Sequence, residues 1–409
     1  MRFCRRGWIS AVLFLALACC SAPPKPAIVI LVSIDGWRWD YLDRFGPPVL
    51  SRMAAEGVQA DGLIPQFPSK TFPNHYTIVT GLRLAHHGII SNNMRDPSIP
   101  GEFTLSNREV QLDSRWWGGE PIWNTVENQG RIAAAMFWPG SETVIGGGQA
   151  TYWTPYQDDL PHRDRVNKIL EWLRMPDGKR PSFLTLYYSD VDNAGHRGGP
   201  DAPEVREAAL RVDRSLGDLV AGVKEIGLAD RVHYVITSDH GMSALSPDRV
   251  IVLDNYVDVS AVDVVDWAPV LSLLPKDGDV EKLYAALKDK HPHLHVYRRD
   301  EIPAEYGIAG HPRLPPVVGI ADDGWNIASA RDVKRWSAEE RRPQGGAHGY
   351  DARLRSMQGL FIAQGPRIAR GLRVKPFENI HVYEFMCAVL GLTPAKNDGD
   401  PTMTRDMLR

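Results

Sequence analysis

The chain has 409 residues, 43% of them hydrophobic and 24% charged, which is globular composition with length for a large core. A formal net charge of −3 supplies no broad attraction for nucleic acid or an anionic membrane surface. Any anionic substrate has to be drawn in locally.

The N-terminus sets Arg2, Arg5 and Arg6 before "WISAVLFLALACC" and then "SAPPKPA". A basic head, a short apolar stretch and small residues predict a secretory signal over residues 1–20, too short for a comfortable membrane span. Within it "LALACCSAPP" resembles the lipobox of a bacterial lipoprotein. If Cys20 is acylated, Cys19 stands where Gly, Ala or Ser is usual; if Cys19 is, Ala16 replaces the expected leucine. A lipid-anchored and a freely soluble periplasmic product therefore both stay open. Cys4 leaves with the signal, and Cys387 in "YEFMCAVLGL" is then alone, so the mature domain has no intrachain disulfide and Cys387 reads as core.

From residue 27, "AIVILVSIDG" is a continuous apolar run ending in Asp-Gly, the pattern of a buried parallel strand that delivers an acid to a loop. "FPSKTFPNHYTIVTGL", residues 67–82, turns helical at Thr71: Pro73 is tolerated in a first turn and Gly81 closes the segment. "RIAAAMFWPG", "SFLTLYYSDVD" and "RVHYVITSDHG" repeat the strand pattern. Between the last two, Val205, Ala209, Val212, Leu216, Leu219 and Val223 recur at helical spacing. This alternation predicts an α/β domain over 27–409 with a doubly wound, mostly parallel sheet and helices on both faces. Between about 250 and 342, short β-rich pieces around the helix "VEKLYAALKDKHP" predict a small inserted antiparallel αβ subdomain.

Asp35, Asp192, His196, Asp239, His240 and His348 stand at strand ends or glycine-flanked turns, where such a sheet gathers its loops. Carboxylate and imidazole suit a divalent zinc ion, and six ligands exceed the need of one tetrahedral site, so two metals are expected. A metal pair is standard apparatus for in-line displacement at phosphorus and lacks only a nucleophile. Thr71, at a helix N-terminus, fits that role or, equally on local sequence, that of an N-cap. Lys70 reads as solvent-exposed. His75, His86 and His87 read as structural, and "HPHLHV" sets His291, His293 and His295 on one strand face.

Together "SIDGWRWDYL", "FPSKTFPNHYTIVTGLRLAHHGIISNNM", "DVDNAGH", "TSDHGM" and "GAHGYD" resemble the nucleotide pyrophosphatase/phosphodiesterase family of the alkaline phosphatase superfamily, especially its bacterial members. The resemblance implies an alkaline phosphatase-like fold and two Zn²⁺, one held by Asp35, Thr71, Asp239 and His240, the other by Asp192, His196 and His348. It implies that Thr71 is the nucleophile of a covalent nucleotidyl intermediate and that Asn92, with the backbone N–H at Thr71, binds a phosphate oxygen. Phe72 and Tyr156 fall where the family flanks a nucleobase. The expected activity is hydrolysis of nucleotide phosphodiesters and phosphoanhydrides to nucleoside 5′-monophosphates. A lipid-headgroup diesterase of glycerophosphocholine type and an inactive metal-containing binding protein are the alternatives. The expected partner is a small nucleotide, with no nucleic-acid duplex and no protein implied, and the expected location is the periplasm.

Overall fold

Strand Ile28–Ile34 carries seven residues without a polar break except Ser33, and all seven are buried. A strand can be buried on both sides only if helices cover both faces of its sheet. Its alternate residues do enter two different apolar clusters: Val29 and Leu31 in one, Ile28, Ile30, Val32 and Ile34 in the other. The computed structural model describes residues 26–338 and 345–409. The expected signal over 1–20, with Cys4, Cys19 and Cys20, lies outside the described residues.

The central sheet contains β1 (Ile28–Ile34), β2 (Val58–Ala60), β3 (Ala133–Met136), β4 (Tyr152–Thr154), β5 (Phe183–Tyr188), β6 (Val232–Thr237), β7 (Phe361–Gln364) and β8 (Leu372–Val374). Their order is β8-β2-β7-β6-β1-β5-β3-β4. Every neighbouring pair is parallel except those made by β7, which runs against both β6 and β2. The helices that position the site or cover the sheet are α1 (Thr71–Thr80), α2 (His162–Leu173), α3 (Asp190–Gly198), α4 (Pro203–Glu225) and α5 (His381–Leu390). On one face α4 packs Val205, Ala209, Val212, Leu216, Leu219 and Val223; on the other α1 and α5 pack Ile78, Val79, Phe385 and Met386. This is the doubly wound, mostly parallel architecture expected from the alternating pattern.

A separate antiparallel sheet is formed by Val262–Asp266, Val270–Pro275, Val317–Ala321 and Leu294–Arg298, in that order. With helix Val280–Leu287 it encloses its own apolar cluster, including Leu271, Leu283, Leu287 and Val296. Here His293 and His295 both hold Asp322, each at 2.8 Å, and His293 stacks on Trp325. Among the described residues these histidines form no metal-ligating group.

His87 is fully buried behind α1. Its Nδ1 accepts the Ile89 N–H at 3.1 Å, so Nε2–H donates to Thr77 Oγ1 at 3.0 Å and the ring is neutral. Burial, reinforced by the charges of His311 and Arg313, holds its pKa at about 3. The unfolded chain then binds a proton that the folded chain refuses, so stability is full above the unfolded value of ~6.5 and is lost as pH falls toward the folded one. Between pH 7 and pH 5 the loss from this one residue is about 2 kcal/mol. Urea midpoints at the two pH values should differ accordingly, and His87→Gln should flatten the difference; an unchanged pH dependence in that variant would count against the assignment.

Candidate active site

Three adjacent strands bring the chemistry together. β1 pairs in parallel with β5 and β6, with Ile34 opposite Tyr188 and Ser33 opposite Thr237, so their C-terminal ends lie side by side. Asp35 follows β1, Asp239 and His240 follow β6, and α3 follows β5 and presents Asp192 and His196, four residues apart, on one face. The turn after β1 needs Gly36: its φ is +67°, and a Cβ there would lie 2.8 Å from Asp192 Cα. His348 arrives from the segment before β7.

All six expected ligands are gathered. His196 Nε2 lies 3.2 Å from His348 Nε2 and 3.4 Å from Asp192 Oδ2. His240 Nε2 lies 2.9 Å from Asp239 Oδ2, 3.4 Å from Asp35 Oδ1 and 3.4 Å from Thr71 Oγ1. Asp192, His196 and His348 form one compact potential metal group. Asp35 falls into two further groups, with Asp192 and His240 and with His75 and Asp239, so the second set is continuous with the first.

The donor chemistry calls for cations. Each of the three imidazoles turns Nδ1 to a backbone carbonyl: His196 to Gly346 at 2.9 Å, His240 to Gly241 at 2.9 Å and His348 to Ser69 at 2.9 Å. A carbonyl only accepts, so Nδ1 carries the proton and a neutral ring offers its Nε2 lone pair to the centre. Two such lone pairs 3.2 Å apart, as at His196 and His348, face each other comfortably only across a positive charge. Asp35 Oδ1, Asp192 Oδ1 and Asp239 Oδ2 are buried without a hydrogen-bond partner. Burial, with the charges of Asp239 and Asp192, raises the Asp35 pKa well above the usual carboxylate range, and burial raises that of Asp192. Burial also acts against ionisation of Asp239, but His240 and His75 outweigh it and hold its pKa well below normal. His348 is pushed well below the ordinary histidine value by burial and by its two imidazole neighbours. The residues present therefore fit a divalent metal site.

Thr71 is the first helical residue of α1, and Lys70 occupies the N-cap without a side-chain cap bond. The cap reading of Thr71 is thus not realised. The hydroxyl has no backbone donor to serve and faces His240 instead. Asn92 Oδ1 accepts the Phe72 N–H at 2.9 Å, which leaves its NH₂ as the group to offer an anion. Phe72 and Tyr156 line one cavity of about 360 Å³, together with Trp117, Trp138, Glu142 and Asp158, and the cavity reaches Thr71, Asp35 and Asp192.

Several supporting residues carry no local sequence signal. Tyr187 donates its hydroxyl to Asp35 Oδ2 at 2.6 Å, orienting a carboxylate 152 positions away. His75 bonds Thr71 O at 2.9 Å through Nδ1 and Ser33 Oγ at 2.8 Å through Nε2, so both nitrogens are engaged in holding the turn at Thr71. Lys70, read as exposed, is buried and paired with Asp266 at 2.5 Å, because the inserted subdomain closes over it.

A sequence model of the family described as type I phosphodiesterase / nucleotide pyrophosphatase matches residues 29–351. The chain belongs to this family. It is 34% identical to human ectonucleotide pyrophosphatase/phosphodiesterase family member 5 over 95% of the chain and 79% of that protein. It is 35% identical to the bis(5′-adenosyl)-triphosphatase of Xenopus laevis over 98% of the chain and 87% of that protein. A murine family member 5 structure, an inactive threonine-to-alanine variant in complex with AMP, superposes with a TM-score of 0.88 at 34% identity, over 94% of this chain and all of that one. The fold is accordingly alkaline phosphatase-like, and the chain is a hydrolase of the nucleotide pyrophosphatase/phosphodiesterase class. These relatives are vertebrate proteins, so the expected placement among the bacterial members finds no support in them.

Proposed function

We propose that the protein is a two-zinc phosphodiesterase that hydrolyses nucleotide diesters and phosphoanhydrides to nucleoside 5′-monophosphates through a threonyl-nucleotide intermediate. The observation that carries this reading is the juxtaposition of Thr71 Oγ1 with a buried Asp/His cluster at one end of an aromatic cavity. Asp192, His196 and His348 would hold one ion, and Asp35, Asp239, His240 and Thr71 the other. When bound, such ions stabilise negative charge on the attacking and departing oxygens of an in-line displacement.

The chain's own residues do the rest. Thr71 Oγ1 attacks phosphorus from a helix N-terminus, where the dipole favours developing negative charge; as its bond to phosphorus forms, the bond to the departing alcohol or phosphate breaks and the hydroxyl proton leaves to solvent or to that departing group. The Asn92 NH₂ donates to a non-bridging oxygen whose charge grows in the transition state. Phe72 and Tyr156 stack the base, a contact tolerant of base identity. A water then attacks the same phosphorus, the Oγ1–P bond breaks, a proton returns to Thr71 Oγ1 and the nucleoside monophosphate is released. The AMP bound by the murine relative and the triphosphatase name of the frog relative support a nucleotide substrate.

Aromatic rings beside Glu142 and Asp158 would also suit a choline headgroup. Glu142, however, is already paired with Arg108 at 2.5 Å and with the Tyr156 N–H at 3.0 Å, which supports the nucleotide reading over the lipid one. A panel of ATP, a diadenosine polyphosphate, glycerophosphocholine and a simple monoester, run with zinc, tests it. The two nucleotides should be turned over at least ~10²-fold faster than the others, with AMP as product. Preference for glycerophosphocholine would sink the nucleotide assignment, and no turnover of any diester would favour the binding-protein alternative.

Export to the periplasm, with or without a lipid on Cys19 or Cys20, is proposed on the N-terminal pattern alone. The intact mass of the mature protein decides it: an unprocessed N-terminus would overturn export.

A further inference from the structure

Asp266 ends strand Val262–Asp266 of the inserted sheet, far in sequence from every motif of the site, and it is buried against the nucleophile's turn. Its Oδ2 takes Lys70 Nζ at 2.5 Å and Ser91 Oγ at 2.6 Å; its Oδ1 takes Asn93 Nδ2 at 3.3 Å and the Trp267 N–H at 3.0 Å. Lys70 immediately precedes Thr71, and Ser91 and Asn93 flank Asn92. Asn92 in turn accepts the Phe72 N–H at 2.9 Å. One carboxylate thus ties together the two chain segments that carry nucleophile and phosphate clamp.

We propose that Asp266 is the positioning residue of this phosphate clamp, fixing the separation between Thr71 Oγ1 and the Asn92 amide. The proposal rests on the reading of Thr71 and Asn92 given above. Residues 91–93 form bends and belong to no helix or strand, so regular hydrogen bonding does not set their place. Four donors converge on Asp266, which an ionised carboxylate, an acceptor only, can satisfy and a neutral amide cannot. Lys70 is 4% exposed, and an ammonium so buried requires its counter-charge. Its stem is further confined by Gly349, beside His348, where a Cβ would lie 3.1 Å from Lys70 Cε. Asp266 therefore acts without touching substrate, by leaving the clamp one place to be.

The test is a double-mutant cycle on a nitrophenyl ester of a nucleoside 5′-monophosphate, using the zinc-loaded full chain. Asp266→Ala should lower kcat by about 30-fold with KM within about threefold, since a displacement near 1 Å costs up to ~10²-fold. In an Asn92→Ala background the same change should cost no more than about threefold, because there is no clamp left to misplace. Ser91→Ala removes one bond without orphaning Lys70. It should lose about fivefold in kcat in the parent and nothing with Asn92→Ala, and it keeps the test decisive if Asp266→Ala does not fold. Losses that multiply fully in both backgrounds would mark a general structural role and overturn the proposal, as would wild-type kcat in Asp266→Ala or, if that variant does not fold, in Ser91→Ala alone. Zinc-loaded, folded wild type that leaves the ester untouched overturns the catalytic reading itself, a result distinct from either.

Discussion

Replacing Thr71 with alanine is expected to lower turnover of a nucleotide diester by about 10⁴-fold or more, with metal content unchanged. The size follows from the proposed role, in which the Thr71 hydroxyl oxygen bonds to phosphorus; among the described residues no other hydroxyl lies within hydrogen-bonding distance of His240 Nε2 to replace it. The fold should not notice. Thr71 Oγ1 makes no cap bond, its one hydrogen-bonding neighbour among the described residues is His240 at 3.4 Å, and alanine is at least as good a first-turn residue. The proposed second site loses Thr71 but keeps Asp35, Asp239 and His240, and Asp192, His196 and His348 are untouched, so metal analysis of the variant with zinc in excess should match the parent. AMP should still bind, because Phe72, Tyr156 and Asn92 are untouched. Thr71→Ser should recover a measurable part of the rate, since it restores a hydroxyl on the same Cβ. Activity surviving in the alanine variant would remove Thr71 from the mechanism.

The Asp/His cluster is legible in the sequence because parallel strands deliver their following residues to one edge, so an acid after an apolar run predicts its own location. Asp35, Asp192 and Asp239 each follow such a run, and the β1–β5 and β1–β6 pairings bring them together. The supporting groups were illegible for the complementary reason. Tyr187 sits within a buried strand, where its apolar ring satisfies the pattern and its hydroxyl's destination at Asp35 depends on the register of a strand 152 residues earlier. Lys70 was misread because a lysine before a helix is ordinarily solvated, and nothing local announces that a sheet nearly 200 residues later supplies its carboxylate. The cap position of Thr71 went to Lys70, one residue earlier, because the helix begins at Thr71 itself. Chain order predicts which loops meet; it does not predict which side chains in those loops touch.

Removing divalent metal with a chelator is expected to lower activity by at least ~10³-fold and also to destabilise the fold, both reversibly on adding zinc. An ion held at 1,000 times its Kd contributes about 4 kcal/mol to stability, so the metal-free protein should melt at least ~5 °C lower. The pH dependence distinguishes loss of a structural cation from general damage. In the metal-free state burial and the charges of Asp239 and Asp192 raise the Asp35 pKa well above normal, and burial raises that of Asp192. His240 is raised as well, burial being outweighed by Asp239. For all three the folded chain binds more protons than the unfolded chain, so stability falls as pH rises through their folded values. The two opposing groups act lower: Asp239, held well below 3.8, contributes below that value, and His348, held well below 6.5, has given its full gain by pH 6.5. Above pH 6.5 His240, raised from the ordinary histidine value, still loses stability, while Asp239 and His348 have no gain left to give. The melting temperature of the metal-free protein should therefore decline from pH 6.5 to pH 9 more steeply than that of the zinc-loaded protein. Parallel declines would mean that the cluster titrates alike with and without metal, which buried, unpartnered Asp35 Oδ1, Asp192 Oδ1 and Asp239 Oδ2 do not permit if they are the ligands. Full activity in protein shown by elemental analysis to hold no divalent transition metal, magnesium or calcium would end the metal reading altogether.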